Sequence, residues 1–344
     1  MNLAVITPSY RNDLALFLDL HASVLAHTRP DVLHFAIVPG QDAKLFEEAA
    51  GPRCVVMTEE SLYPGHYRPV PAADRAIHLL PGFPSSARIA AVNLKRPFYP
   101  VRGWIMQQAL KMEACLRIDA DVILVLDSDV VLIREVSVAK LTLGGRPRFY
   151  RRDGAVDSRL PRHVQWHEIS RRLLGLPLPP PLPAPDYVSS LNVWDPQVLR
   201  SLLARMERVT GRYWMDAVTA QRSISEWTLY GVFVDEFVKD MAVRATGASL
   251  CHSYWDPRPL TAEEAAEFGA ATGPEDLAIL IQSKSRTPMA VRHGVLRALP
   301  TAARTDEELS LDPAAACGPP LPHLTRLPKG AGTKRPGLLY ATGG

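Results

Sequence analysis

At 344 residues, with 47% hydrophobic residues and a net charge of +3, the chain can bury a large core and is too weakly basic to suggest nucleic acid. No dense Lys/Arg run occurs, and no stretch approaches the roughly eighteen consecutive apolar residues of a membrane span. Cys54, Cys115, Cys251 and Cys317 are scattered without a CxxC pair, a pattern of reduced thiols rather than of a zinc site or disulfide framework. The N-terminus lacks a basic segment followed by a long apolar core, so a cytoplasmic location is expected.

Residues 3–6 read as a buried strand ended by Thr7, Pro8, Ser9 and Tyr10. Leu14, Phe17, Leu18, His21, Val24 and Leu25 then recur at helical intervals. Residues 34–38 read as a strand, 42–50 as a helix and 54–57 as a third strand. Such alternation predicts a parallel sheet with right-handed crossovers. No glycine follows the first strand, which excludes a dinucleotide-binding GxGxxG turn, and no Walker A sequence occurs. Residues 61–101 read as a proline-rich irregular loop. Arg88, Lys95, Arg96 and Arg102 stand towards its end, a basic stretch suited to meeting phosphates.

The next stretch is the most informative. Ile105, Ala109, Met112 and Leu116 form one face of a helix, while Gln107, Gln108 and Lys111 share another. Residues 122–126 are an unbroken aliphatic run, as in a strand covered on both faces. Asp127, Ser128 and Asp129 follow at once. Two carboxylates about 4 Å apart repel by roughly 4 kcal/mol at an effective dielectric near 20, so a hard divalent cation is expected between them. Asp119 and Asp121, ahead of the strand, read as a turn. Position selects the later pair, because open α/β sheets bind ligands outside the carboxyl ends of their strands.

Farther on, residues 146–152 read as an edge strand, and His163 and His167 lie four apart. Residues 175–185 are a proline-rich excursion read as a rigid inserted loop. Residues 186–194 contain a strand with Asn192, and 197–208 and 213–221 read as helices. Ser225 caps another helix, with Glu226 in its first turn and Trp227 and Tyr230 beside it. Residues 249–256 form a last strand bearing His252. A capping box of Thr261 and Glu264 and a helix from Pro288 to about residue 299 follow, and the tail beyond residue 313 has the composition of a disordered segment.

A lysine on a helix, a hydrophobic strand and then Asp-x-Asp resembles the GT-A class of nucleotide-sugar glycosyltransferases, in particular glycogenin-like and related bacterial enzymes. Residues 225–231, SEWTLYG, are similar to an SEY-x-LYG stretch in a poorly characterised bacterial glycosyltransferase-like family. The resemblance implies an α/β, GT-A-like (Rossmann-like) mostly parallel central sheet flanked by helices. It would give a catalytic domain over 1–255, a small C-terminal helical extension over 256–313 and a disordered tail over 314–344. It further implies a metal-dependent, hexosyltransferase-like enzyme moving sugar from a nucleotide-diphosphate donor to a hydroxyl of a saccharide or other acceptor. Asp127 and Asp129 would then hold Mn2+ or Mg2+, with His252 completing the metal site and His293 in reserve. Thr7, Ser9 and Tyr10 would lie against the base and ribose. Arg102, Lys111 and Ser128 would serve the donor phosphates, and Asn192 the donor sugar, although here it stands in Asn-Val-Trp rather than Asn-x-Gly. Glu226 would be the acceptor-side base. Two alternatives stay open: a sugar nucleotidyltransferase, which usually carries a glycine-rich basic loop absent here, and a non-catalytic nucleotide- or sugar-binding module.

Overall fold

The computed structural model describes residues 1–70 and 88–300. Its first third alternates strand and helix: β1 (Leu3–Pro8), α1 (Leu14–His27), β2 (Leu33–Val38), α2 (Ala43–Ala50) and β3 (Cys54–Thr58). A short α3 (Glu59–Leu62) leads into β4 (Tyr67–Pro69), β5 (Ile89–Asn93) and β6 (Pro100–Arg102), a small antiparallel sheet. Then α4 (Gly103–Arg117) delivers the chain to β7 (Val122–Val125) and β8 (Val130–Leu132). A minimal hairpin of β9 (Thr142–Leu143) and β10 (Arg146–Pro147) precedes β11 (Arg152–Val156), which pairs across α5 (Pro161–Leu174) with β12 (Ala184–Asp186). The remainder runs through β13 (Asn192–Trp194), α6 (Pro196–Thr210), α7 (Trp214–Thr219), α8 (Glu226–Phe237) and α9 (Lys239–Ala242). It ends with β14 (Cys251–Tyr254), α10 (Ala262–Ala270), β15 (Ala278–Ile281) and α11 (Met289–Arg297).

The central sheet has the order β13-β7-β1-β2-β3, parallel except for the edge strand β13. Alternate residues of a strand point to opposite faces. Ala4 and Ile6 of β1 accordingly pack with Ile105, Met106 and Ala109 of α4 and Leu229 of α8. Leu3 and Val5 pack on the other face, with Leu20 and Val24 of α1. Burial on both faces is why β1 and β7 carry no polar alternation. The fold is a mixed α/β architecture with a mostly parallel sheet between helices.

A second sheet, β14-β15-β8, stands beside it, with β15 parallel to β14 and antiparallel to β8. Asp127, Ser128 and Asp129 therefore occupy the joint where the chain leaves the central sheet and enters the second. This arrangement departs from the expected helical extension over 256–313, since β15 falls within it and is the middle strand of its sheet. The described residues fall in one compact unit, undivided at residue 255.

The stretch expected to be irregular over 61–101 contains β4, β5 and β6, strands too short and proline-flanked to register as periodic runs. The edge strand expected over 146–152 is split between β10 and β11. The tail over 314–344, with Cys317, lies outside the described residues. Among the described residues no helix is long and apolar enough to cross a membrane. Cys115 and Cys251 are buried free thiols and Cys54 is half-buried.

Candidate functional site

The parallel strands β1 and β7 end side by side, and β1 continues to Ser9 and Tyr10 as β7 continues to Asp127. Leu126 N–H donates to the Ile6 carbonyl at 3.0 Å, and Val130 N–H to the Asp127 carbonyl at 3.2 Å, closing the acidic turn. Ser128 donates its hydroxyl to the Ser9 hydroxyl at 3.0 Å and lies 3.2 Å from the Pro8 carbonyl. Ser9 N–H in turn donates to the Ile37 carbonyl at 2.8 Å. These two buried serines lock the end of β1 to the acidic turn. Asp127 is left with its side chain 54% exposed.

Lys111 comes up beneath that turn from α4. The helix is buried almost all round, so Lys111 does not reach solvent. Its ammonium stands 3.7 Å from Asp127 Oδ1, is ion-paired with Glu226 Oε1, and lies 4.5 Å from the centre of the Trp227 ring. Burial opposes the charge on Lys111, but Glu226 and then Asp127 outweigh it and its pKa is raised. Burial pushes the Glu226 carboxyl up, with Lys111 pulling the other way. Ser225 caps α8 by accepting from Thr228 N–H at 3.3 Å. Gln108 Oε1 accepts from Glu226 N–H at 2.9 Å, so α4 fixes the start of α8 as well as supplying Lys111. The buried Glu226 carboxylate is the counter-ion of Lys111 and does not stand open as the acceptor-side base expected for it.

Asp129 points towards the second sheet, where its Oδ2 accepts from Ser283 N–H at 2.6 Å. Burial and the neighbouring Asp127 charge push its carboxyl up to about 6, against the Ser283 N–H and Arg292. The Asp127 charge thus adds to burial in disfavouring the charged form of Asp129. Among the described residues no group of three or more His, Cys, Asp and Glu is gathered as a metal cage. Two carboxylates with free oxygens fit a different kind of site. They suit a hard divalent cation that takes one or two protein ligands and completes its shell with phosphate oxygens and water.

His252 does not join them. Its ring stacks on Phe268 of α10 at 4.1 Å, and its strand neighbour is Ile279 of β15. The reserve, His293, bonds Asp19 at 2.8 Å. Thr7 is also withdrawn. Nε2 of His21 faces the Pro52 carbonyl, which can only accept, so that nitrogen carries the proton and Nδ1 is left to accept. His34 Nδ1–H must then donate to His21 Nδ1 at 3.0 Å, and Thr7 O–H to His34 Nε2 at 2.9 Å. A fully buried hydroxyl committed to that chain has nothing to offer a nucleotide.

Of the other expected donor residues, Tyr10 is partly exposed beyond the end of β1 and Arg102 is exposed at the start of α4. Asn192 pairs with Val125 across the sheet edge, but it is buried and its side-chain amide donates to the Ser189 carbonyl. Sequence reasoning missed Gln108 and Ser283. Gln108 shared the Lys111 face of the helix and was within reach of inference. Ser283 was not, since only the fold brings it to Asp129 across 154 positions.

Fold and site together define an α/β protein with a charged cluster at the carboxyl ends of a mostly parallel sheet. The chain belongs to a family of unknown function (DUF6492), whose model matches residues 3–292. No curated protein matches it. It is similar to several solved structures. One is the galactosyltransferase LgtC in complex with donor and acceptor sugar analogs, 14% identical over 88% of this chain and 98% of that one, with a TM-score of 0.38. An active-site mutant of LgtC is 15% identical over 67% and 70%, with a TM-score of 0.34. Mouse xyloside xylosyltransferase 1 in its apo form is 10% identical over 84% and 100%, with a TM-score of 0.42.

Proposed function

We propose that this chain is a metal-dependent glycosyltransferase that moves a sugar from a nucleotide diphosphate to an acceptor hydroxyl. The observation that carries this reading is the charge arrangement at the end of β7. Exposed Asp127 and half-buried Asp129 stand on one side, and a buried Lys111 held by Glu226 lies beneath. In this reading Asp127 and Asp129 hold Mn2+ or Mg2+ on the donor diphosphate. A divalent cation there would neutralise charge that builds up on the leaving nucleotide. Lys111 adds a fixed positive charge next to Asp127, in a low-dielectric setting where it acts strongly. Glu226, with Gln108 fixing its backbone, sets the place of that ammonium. The Ser9–Ser128 bond keeps the acidic turn from shifting when the diphosphate binds.

Thermal shift with nucleoside diphosphates, with and without manganese, tests the reading. A ligand at a hundredfold excess over its dissociation constant stabilises by about 2.7 kcal/mol, well within detection. At least one nucleotide should raise the melting temperature only when manganese is present, and Asp127→Asn should abolish that manganese-dependent part. Equal nucleotide affinity in EDTA and in manganese for the unmutated protein would sink the metal-bridged donor site. Turnover of a sugar nucleotide then separates an enzyme from a binding module.

A further inference from the structure

Trp104, in the first turn of α4, leaves an indole 41% exposed. A single exposed apolar side chain is ordinary, but a ring held between an aromatic neighbour and a cation offers a fixed binding surface. This ring is organised. It lies 6.2 Å from the ring of Trp166 of α5, which is buried, and the Arg162 guanidinium sits 4.9 Å from the centre of the Trp104 ring and 5.0 Å from that of Trp166. Arg162 is exposed, and no carboxylate among the described residues pairs with it.

Both indoles are tied to the candidate site. Trp166 Nε1–H donates to the Ser223 hydroxyl at 3.0 Å, three residues ahead of Glu226. The Trp104 carbonyl accepts from Gln108 Nε2, the same side chain whose oxygen holds Glu226 N–H. Trp104, Gln108 and Lys111 follow at i, i+4 and i+7, so they share one face of α4, and the outer two are about 10 Å apart along its axis. That face runs from an exposed indole inward to the buried ammonium. On α5, Arg162 also lines an open groove of about 480 Å3 with Gln165 and Glu168.

We propose that Trp104 and Arg162 form the acceptor subsite, and that it takes an oligosaccharide bearing a carboxylate or phosphate. The assignment as acceptor rests on the transferase reading above; the binding of such a saccharide does not. A pyranose packs its C–H face on an indole, its hydroxyls need donors and acceptors such as Gln165 and Glu168 supply, and an anionic substituent suits a guanidinium with free donors.

The test is an array of defined oligosaccharides in matched neutral, uronate-bearing and phosphate-bearing forms, probed with the full chain. The wild type should bind anionic members over their neutral matches, and the two anionic arms identify which anion is used. Trp104→Ala should weaken binding about tenfold or more, Trp104→Phe should keep most of it, and Arg162→Gln should erase the preference for the anion. Unchanged melting temperatures would show that the variants are folded. Binding by folded Trp104→Ala as tight as by the wild type, or no glycan bound by the wild type, would overturn the proposal. Manganese-dependent nucleotide binding by the same wild-type preparation is scored separately. Glycan binding through Trp104 without nucleotide binding refutes the transferase reading and leaves the saccharide site standing, whereas the reverse result refutes the saccharide site alone.

Discussion

A lysine with its side chain only 4% exposed is costly unless its partner is well placed, and Lys111 has two carboxylates and an aromatic face around it. Removing one member of such a pair leaves the other charged and buried. Lys111→Met and Glu226→Gln should therefore each cost about 3–5 kcal/mol of stability, measured by urea unfolding. Replacing both, as Lys111→Met with Glu226→Leu, should recover most of that loss, because a buried pair exchanged for apolar residues is often neutral. Nucleotide binding should not recover with it. If the double variant regains both stability and nucleotide affinity, the pair only holds the helices together and Lys111 has no part in a site. The place of Asp127 and Asp129 at the end of β7 was legible in the sequence because they follow an unbroken aliphatic run directly, and a strand end is a place that local pattern can define. It could not show that Lys111 is sealed off with Glu226, since both partners look like ordinary helix residues until α4 and α8 are packed. His252 failed for a related reason. Order along the chain suggested it, but Phe268 claims its ring.

At the level of elements, β1, β2 and α1 are joined by more than apolar contact. The chain Thr7 to His34 to His21 to Pro52 runs in one direction and needs both imidazoles neutral. Protonating His21 would set two N–H groups face to face at 3.0 Å, and protonating His34 would reverse its bond with the Thr7 hydroxyl. Burial lowers the pKa of both rings, that of His34 well below the ordinary value. A histidine depressed in the folded state binds fewer protons than its unfolded counterpart below pH about 6.5, so its stabilisation is complete above that pH and is lost as pH falls. Two such groups give a slope of up to roughly 2–3 kcal/mol per pH unit, and unfolding free energy should drop steeply between pH 6.5 and 5. His21→Gln should flatten that slope by up to about one proton's worth. An unchanged slope in the variant would show that the acid sensitivity arises elsewhere, for example at His167, which burial also lowers. The central strands themselves were readable because burial on both faces leaves unbroken aliphatic runs. Of the sheet β14-β15-β8 only β14 was readable, within residues 249–256; β8, β15 and β4 to β6 were not, since three to five residues carry too little periodicity, and β8 and β15 lie far apart along the chain.

For the molecule as a whole, the pairing of β8 with β15 matters most, because it joins the acidic turn to a strand some 150 positions later. β15 is the middle strand, so without it neither β14 nor β8 has a neighbour in that sheet, and Asp129 loses the Ser283 amide. A chain ended at residue 255 should therefore expose two strand edges and be recovered mainly as aggregate, whereas one ended at residue 300 should remain soluble with a near-native melting temperature. Recovery of the shorter chain as a folded monomer would restore residue 255 as a domain boundary. The same pairing sets an order of events on the ribosome. The central sheet can form as the first two hundred residues emerge, but the acidic turn waits, with one side uncovered, until the segment around residue 283 has been synthesised. A nascent chain that stalls before then carries its aspartates without the amide that holds one of them, so competence to bind would arrive late and in a single step.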